Sequence, residues 1–261
     1  MRVHLHTLCW NDRRMIDFFF RHYEPWVDCF YILDDGSTDG TREYLEARQD
    51  VVLGDVTRID SDSWVRSAQH IYNNDWKRSV GEADWVVVAN IDEHLHHPSM
   101  RDYLAHLLDE GVTVVPALGY QMISDKLPAP DSILWRDCRM GAPSRDMSKT
   151  GIFRPERIRE TNYGPGRHEQ SIEGEVVLPM CDEVVNLHYK YLGVSETRAR
   201  HKAQAARLGA TDWANRWGYH YGWTLEELQA YFDQFKSALV DVTSADHHQA
   251  HPEPRWWRAG L

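Results

Sequence analysis

Two apolar runs in this chain of 261 residues end in carboxylates: Cys29-Phe-Tyr-Ile-Leu leads into Asp34-Asp35-Gly36-Ser37-Thr38-Asp39-Gly40-Thr41, and Trp85-Val-Val-Val-Ala-Asn-Ile leads into Asp92-Glu93-His94. Acids at the C-terminal end of a buried strand weaken a core but suit a binding site, because open α/β sheets take their ligands in the crevice outside those ends. If the second strand persists to its last residue, positions 92 and 94 project to one side and Glu93 to the other, so a carboxylate and an imidazole converge. Both side chains ligate divalent cations, and so small a protein contribution leaves coordination positions open for a diphosphate. Asp34 and Asp35 cannot ligate phosphate, since like charges repel, but a carboxylate accepts well from a ribose hydroxyl or a base N–H. Gly36, Ser37 and Gly40 permit a tight turn into a helix. An Asx-turn with an N-cap accounts for Asp39 equally well.

The elements that must hold these clusters alternate along the chain. The pattern predicts strands over 3–8, 29–33, 51–53, 85–91 and 112–116, and helices over 11–23, 63–80 and 99–110, with a short one carrying Tyr44 and Leu45. Such alternation implies βαβ units and an α/β fold with a mostly parallel, Rossmann-like sheet flanked by helices. Residues 120–180 are rich in Gly, Pro, Arg and Asp, with β-like pieces at 151–153 and 175–178, a composition suited to loops built over a sheet edge. A strand over 184–189 then precedes helices over 195–208, with Ser195 as N-cap and Gly209 as stop, and over 224–240. The chain thus reads as one α/β domain over 1–192, its loop-rich region included, with a C-terminal helical extension over 193–261 packed on it.

Composition removes several classes of function. A net charge of −11 argues against a duplex nucleic-acid binder, which needs a basic face for the phosphates. The four cysteines fall at scattered spacings with no Cys-x-x-Cys, so neither a zinc knuckle nor a disulfide framework is expected, and a reducing compartment is the simpler reading. No apolar stretch suits a signal peptide or a membrane span, which makes a cytoplasmic location the expectation. Several of the eleven tryptophans, among them Trp213, Trp217, Trp223, Trp256 and Trp257, lie in polar company, where they serve either as platforms for a sugar or base or as packing. His96, His97, His247, His248 and His251 are expected on exposed or flexible segments.

Together with Cys9-Trp10-Asn11-Asp12 after the first strand, the two acidic clusters resemble the family-2-type glycosyltransferases of the GT-A fold. The likeness is greatest to a subgroup whose helix–strand unit reads like Gln69-His-Ile-Tyr-Asn73 through Asp84-Trp85 to Asp92-Glu93. That subgroup continues with a Lys-to-Arg-Pro segment, here Lys149 to Arg154-Pro155, a histidine, here His168, and a His-Tyr pair, here His188-Tyr189, before a helix with a lysine, here Lys202. The likeness spans roughly residues 1–205 and is specific in order and spacing.

The resemblance implies that Trp10 or its backbone flanks a nucleobase, that Asp34 or Asp35 reads the base or ribose, and that Asn73 belongs to the nucleotide site. It implies Mg²⁺ or Mn²⁺ held on the diphosphate by Asp92 and His94, with His188 as a further ligand. A histidine at the third motif position, where aspartate is commoner, resembles an Asp-x-His variant and favours the softer Mn²⁺. The donor expected is a nucleotide sugar, UDP-linked, and the acceptor a glycan, a small molecule or a modified base. Breaking a glycosidic bond to a diphosphate needs cations, for which Arg66, Lys149, Arg154, Arg167 and Lys202 are candidates. An acceptor hydroxyl needs a base, and the Glu-Asp motif usual in the family is absent here; His168, Glu169, Asp146 and Asp125 are the candidates. A nucleotidyltransferase and a non-catalytic nucleotide-sugar module are the alternatives, though the former should carry a Gly-rich phosphate loop after strand one, which 7–12 lacks.

Overall fold

A computed structural model describes residues 1–258. In chain order its main elements are β1 (Val3–Cys9), α1 (Arg13–Tyr23), β2 (Cys29–Asp34), α2 (Thr41–Glu46), β3 (Val51–Asp55), α3 (Trp64–Asn74), β4 (Trp85–Val88), β5 (Glu93–His96), α4 (Met100–Asp109) and β6 (Val114–Ser124). There follow α5 (Leu134–Asp137), β7 (Met140–Pro143), β8 (Lys149–Phe153), β9 (Ile158–Glu160), β10 (Glu173–Gly174), β11 (Val184–Leu192), α6 (Val194–Ala205), α7 (Ala210–Ala214), α8 (Leu225–Lys236) and β12 (Val240–Asp241). The main sheet runs β12-β7-β6-β8-β4-β1-β2-β3, with β11 added beside β6 and β5 beside β11. β3, β2, β1 and β4 are mutually parallel. β8 lies antiparallel between β4 and β6, so β6 and its parallel neighbour β11 point the same way as β1. The C-terminal ends of β1, β2, β4, β6 and β11 therefore share one edge, the expected place for a ligand.

Side-chain alternation sorts the core onto two faces. Trp85 and Val87 of β4 join Leu5, Phe30 and Ile32 under Met15, Phe19 and Tyr23 of α1 and Leu104 and Leu107 of α4. Val86 and Val88 turn the other way, to Trp76, Val114, Phe153 and Tyr163. The C-terminal helices close over the far end through Leu228 and Phe232, which pack on Ile123 and Tyr191.

Several expected elements shift. The strand predicted over 85–91 stops at Val88, and the chain turns at Ile91 and Asp92, the Glu93 amide donating to the Asn90 carbonyl, as β5 begins. The helix predicted over 63–80 ends at Asn74 and continues as a 3₁₀ segment, Asp75–Ser79. Gly193 (φ 80°), rather than Ser195, precedes α6. The stretch around His247 packs on the sheet, its Nδ1 lying 2.7 Å from the Tyr120 hydroxyl, and His251 is buried. Among the described residues the four cysteines are unpaired, and no helix is long and apolar enough to cross a membrane.

Candidate functional site

The loop after β1 and the loop after β2 are stitched together at the C-terminal edge. Asn11, in a left-handed conformation (φ 49°), accepts from the Thr38 amide through its side chain and donates its own amide to the Ser37 hydroxyl. Gly36 (φ 75°) and Gly40 (φ 90°) take backbone conformations that a Cβ would strain, which lets the acidic turn fold back on itself. Asp34 is spent inside this turn: it is buried and accepts from the Ser37 amide and hydroxyl and from Arg42. Asp35, its side chain 10% exposed, is held by Arg58 at 2.9 Å and by Arg207. The Arg207 guanidinium also lies 3.8 Å from the centre of the Trp10 ring, with that of Arg200 at 5.2 Å. Arg200 donates to the Trp10 and Asn11 carbonyls and to Asp12 at 2.8 Å, so α6 and the turn that follows it roof the β1 end.

Beyond the end of β4, Asp92 meets His188 of β11. With the Gln121 amide oxygen turned toward the ring, the orientation that its hydrogen bond favours, His188 Nδ1 donates to it across 2.6 Å, and an amide oxygen can only accept. The other ring nitrogen, Nε2, then faces the Asp92 carboxylate at 3.5 Å. Two acceptors share that space only with a cation to bridge them, a proton or a metal ion. Burial alone would push the Asp92 carboxyl up, but the charge and hydrogen bond of His188 outweigh it and hold the group well below the usual carboxylate range. The Asp92 side chain is 30% exposed, so a ligand can reach it. Arg14 contributes buried Nε and Nη1 atoms that have no hydrogen-bond partner among the described residues, and it lies in the field of Arg200, Asp92 and Asp12. Lys190 adds positive charge at Asp92.

His94 is not part of this meeting. β5 and β11 pair with His188 opposite Glu93 and Leu187 opposite His94, so the two histidines point to opposite faces of the sheet. The expected convergence of 92 and 94 required an unbroken strand, and the turn before Glu93 removes it. His94 instead stacks on His22 with ring centres 4.6 Å apart and meets Tyr189 edge-on at 5.0 Å. Burial, together with the neighbouring charge of His22, lowers its proton affinity strongly. It lines a cleft of about 390 Å³ on the α1 side together with His22, His96, Trp26 and Trp135. His96 and His97 are half-buried there, stacked on Trp135 and Tyr103. Among the described residues no three His, Cys, Asp or Glu side chains converge to hold an ion.

The other expected residues divide by position. Lys149 is buried beneath the site, donating to Glu93 and to the Gly166 carbonyl, with Arg167 on the same carboxylate. Arg154 lies at the far edge, because β8 runs antiparallel; its amide donates to Thr113 at the start of β6. Asn73 uses its whole amide on the 161–163 segment and its own helix. Arg66 pairs with Asp60 at 3.2 Å, and Lys202 is exposed on α6. Asp125 is exposed and paired with Lys236 at 2.6 Å. His168 and Asp146 do come together: the Asp146 carbonyl accepts from His168 Nδ1 at 2.9 Å, which leaves Nε2 with a free lone pair. Glu169 is exposed beside it. Arg14, Arg58, Lys190, Arg200 and Arg207 escaped the sequence reading. The one available signal was the seven-residue spacing of Arg200 and Arg207, which the helix predicted over 195–208 would put on one face; in the structure Arg207 lies in the turn after α6.

No protein-family model and no curated protein matches this sequence. Solved structures with related folds include S. aureus TarS 1–349 in complex with UDP, at 14% identity over 59% of this chain and 47% of that one, with a TM-score of 0.38. The same TarS fragment in complex with UDP-GlcNAc aligns at 11% identity over 79% of this chain and 66% of that one, TM-score 0.42. Glucosyl-3-phosphoglycerate synthase from Mycobacterium tuberculosis, in complex with Mn²⁺, UDP and glucosyl-3-phosphoglycerate, aligns at 20% identity over 46% and 44%, TM-score 0.30. The chain spans less than half the length of the first two TarS chains that it matches. These are distant likenesses of architecture, and the chemistry of the site rests on the residues described above.

Proposed function

We propose that this chain is a metal-dependent glycosyltransferase that moves a sugar from a nucleotide diphosphate donor, UDP-linked, to an acceptor hydroxyl. The observation that carries the reading is the Asp92–His188 pair: an ionised carboxylate and an imidazole nitrogen, fixed from behind by Gln121, facing each other at the ligand-binding edge of the sheet. A histidine whose second nitrogen is held by an oxygen acceptor is the usual form of a metal-ligating imidazole. Two protein ligands leave room for diphosphate and water oxygens, which suits Mn²⁺ or Mg²⁺. Such an ion would offset the charge that develops on the departing diphosphate.

The chain's own residues supply the rest. Arg14, Arg200 and Lys190 present fixed positive charge toward the same place, in a setting where preorganised charge stabilises a leaving anion better than water does. Asp35 and Trp10, joined through Arg207, would contact the nucleoside. His168, its tautomer set by the Asp146 carbonyl, is placed to take a proton from the acceptor through Nε2. A thermal-shift panel of nucleoside diphosphates with and without Mn²⁺ tests the proposal. A nucleotide at about a hundred times its Kd stabilises a fold by ~2.7 kcal/mol, so UDP with Mn²⁺ should raise Tm and UDP alone should do so less. A panel without any metal-dependent nucleotide shift would falsify the reading.

A further inference from the structure

The cleft on the α1 side has no part in the donor site. β5 separates the two, since His94 points to the opposite face of the sheet from His188. One wall of the cleft is a row of rings: Trp135 stacks on His96 with ring centres 4.7 Å apart, His96 lies 5.8 Å from His22, and His22 stacks on His94 at 4.6 Å. The row is fixed from behind. The Tyr23 hydroxyl donates to the Glu93 carbonyl at 2.7 Å and accepts from the Leu95 amide at 3.0 Å, which pins α1 to β5, and Arg21 donates to the Ser132 and Pro130 carbonyls. His94, 1% exposed, lines the cleft with neither ring nitrogen in a hydrogen bond among the described residues, the nearby Ile91 backbone included. His22 donates from Nε2 to the Leu95 carbonyl at 2.8 Å, which leaves its Nδ1 as an acceptor. Burial brings the His22 and His96 rings down to about 4 and about 3, so both are neutral at neutral pH.

We propose that this cleft is a second small-molecule site, separate from the donor site, and that its ligand is an uncharged nitrogen heteroaromatic of purine size that carries both a hydrogen-bond donor and an acceptor. A volume of about 390 Å³ suits one such ring system. A planar ring extends the row that Trp135, His96 and His22 begin. A neutral imidazole at His94 offers one N–H and one lone pair, which a ligand with both kinds of group on its edge answers. A purely apolar ligand would leave His94 unpaired, which is costly. Ions suit the cleft less well: among the described residues no three ligating side chains converge, Arg101 on the lining is paired with Asp28 at 3.1 Å, and Asp102 adds a carboxylate that repels an anion.

Saturation-transfer NMR on the full chain at neutral pH decides the matter, with benzimidazole and adenine as probes and with indole, which only donates, and benzoate as controls. Transfer to both probes is expected, equally with and without saturating UDP and Mn²⁺, weaker transfer to indole and none to benzoate. Transfer to the probes should fall about five-fold in Trp135→Ala, which removes one stacking ring, and about as much in His94→Phe, which keeps a ring and removes its nitrogens. Trp135 is half-buried, so its variant carries the test if His94→Phe does not fold. Absence of transfer to either probe, equal transfer to indole or benzoate, displacement of the probes by UDP with Mn²⁺, or transfer undiminished in Trp135→Ala overturns the site.

Discussion

Asp92 and Glu93 are neighbours in the chain and opposites in the fold. Glu93 enters a buried ion cluster, where it accepts from Lys149, Arg167 and both nitrogens of Asn90 and is 2% exposed. Asp92, at the open edge above, is paired among the described residues with His188, with the charge of Lys190 nearby. Burial pushes both carboxyls up and cationic partners bring both far down, so proton affinity does not distinguish them. Satisfaction and access do. A carboxylate with every lone pair engaged is part of the scaffold, and one with a single bridged partner and a path to solvent has capacity left for a ligand. The same test disposes of a more tempting constellation. Asp75, His6 and Ser79 form a carboxylate–imidazole–hydroxyl line, with 2.7 Å from Asp75 to Nδ1 and 2.8 Å from Nε2 to the Ser79 oxygen, which resembles the arrangement of a nucleophilic triad. Yet Ser79 is 0% exposed and also bonds His4 at 2.9 Å, so the line is a closed strut between β1 and the 3₁₀ segment.

The largest effect should come from breaking the closed side. Glu93→Gln strands Lys149 and Arg167 as buried cations, and a loss of about 3–5 kcal/mol is expected in urea unfolding. If stability holds, Glu93 is not the keystone of the cluster. On the open side, Asp92→Ala and His188→Ala should leave unfolding within about 1 kcal/mol of the parent but abolish the Mn²⁺-dependent part of UDP affinity in calorimetry. An unchanged metal dependence in both would move the ion elsewhere. Gln121→Leu, which frees the back of His188, should weaken Mn²⁺ binding about 10–100-fold. Asp35→Ala should reduce nucleotide affinity without altering its metal dependence; retained affinity would pass the nucleoside contact to Trp10 and the arginines around it.

The pH dependence sharpens the same contrast at smaller scale. In the fold, the Glu93 carboxyl is held below its ordinary value of 4.5, despite burial, by Arg167 and Lys149. The unfolded chain therefore binds more protons as pH falls through 4.5, so the contribution is complete above that value and is lost on acidification. Urea midpoints should decline below about pH 4.5, and Glu93→Gln should flatten that decline; an unchanged slope would mean that other carboxylates govern the acid limb.

The alternating strands and helices and the acidic turn at 34–41 were legible in the residues, because apolar periodicity and turn chemistry are local properties; Asp92 was singled out there together with His94, and His188 only through the family resemblance. The helix over 63–80 was recognised but its conversion to 3₁₀ at Asp75 was not, since His6 and Ser79, from opposite ends of that contact, decide it through space. Arg154 and Lys149 were grouped with the phosphate cations on the likeness of 149–155 to the family's Lys-to-Arg-Pro segment. The direction of β8 sends Arg154 to the wrong end of the sheet, and the depth of the Glu93 cluster removes Lys149 from solvent.

What the sequence determined by itself was the kind of molecule: a mostly parallel α/β sheet with carboxylates at its ligand edge, written in period-2 and period-3.6 patterns that need no partner to be read. Which of those carboxylates remains open, and which histidine answers it, was settled by tertiary structure. A single residue of register between β5 and β11 puts His188 on the face of Glu93 and His94 on the face of α1, and arginines from beyond residue 190 bond to the loops that follow β1 and β2. Pairing register and contacts between distant segments are not local, and no window of the chain contains them.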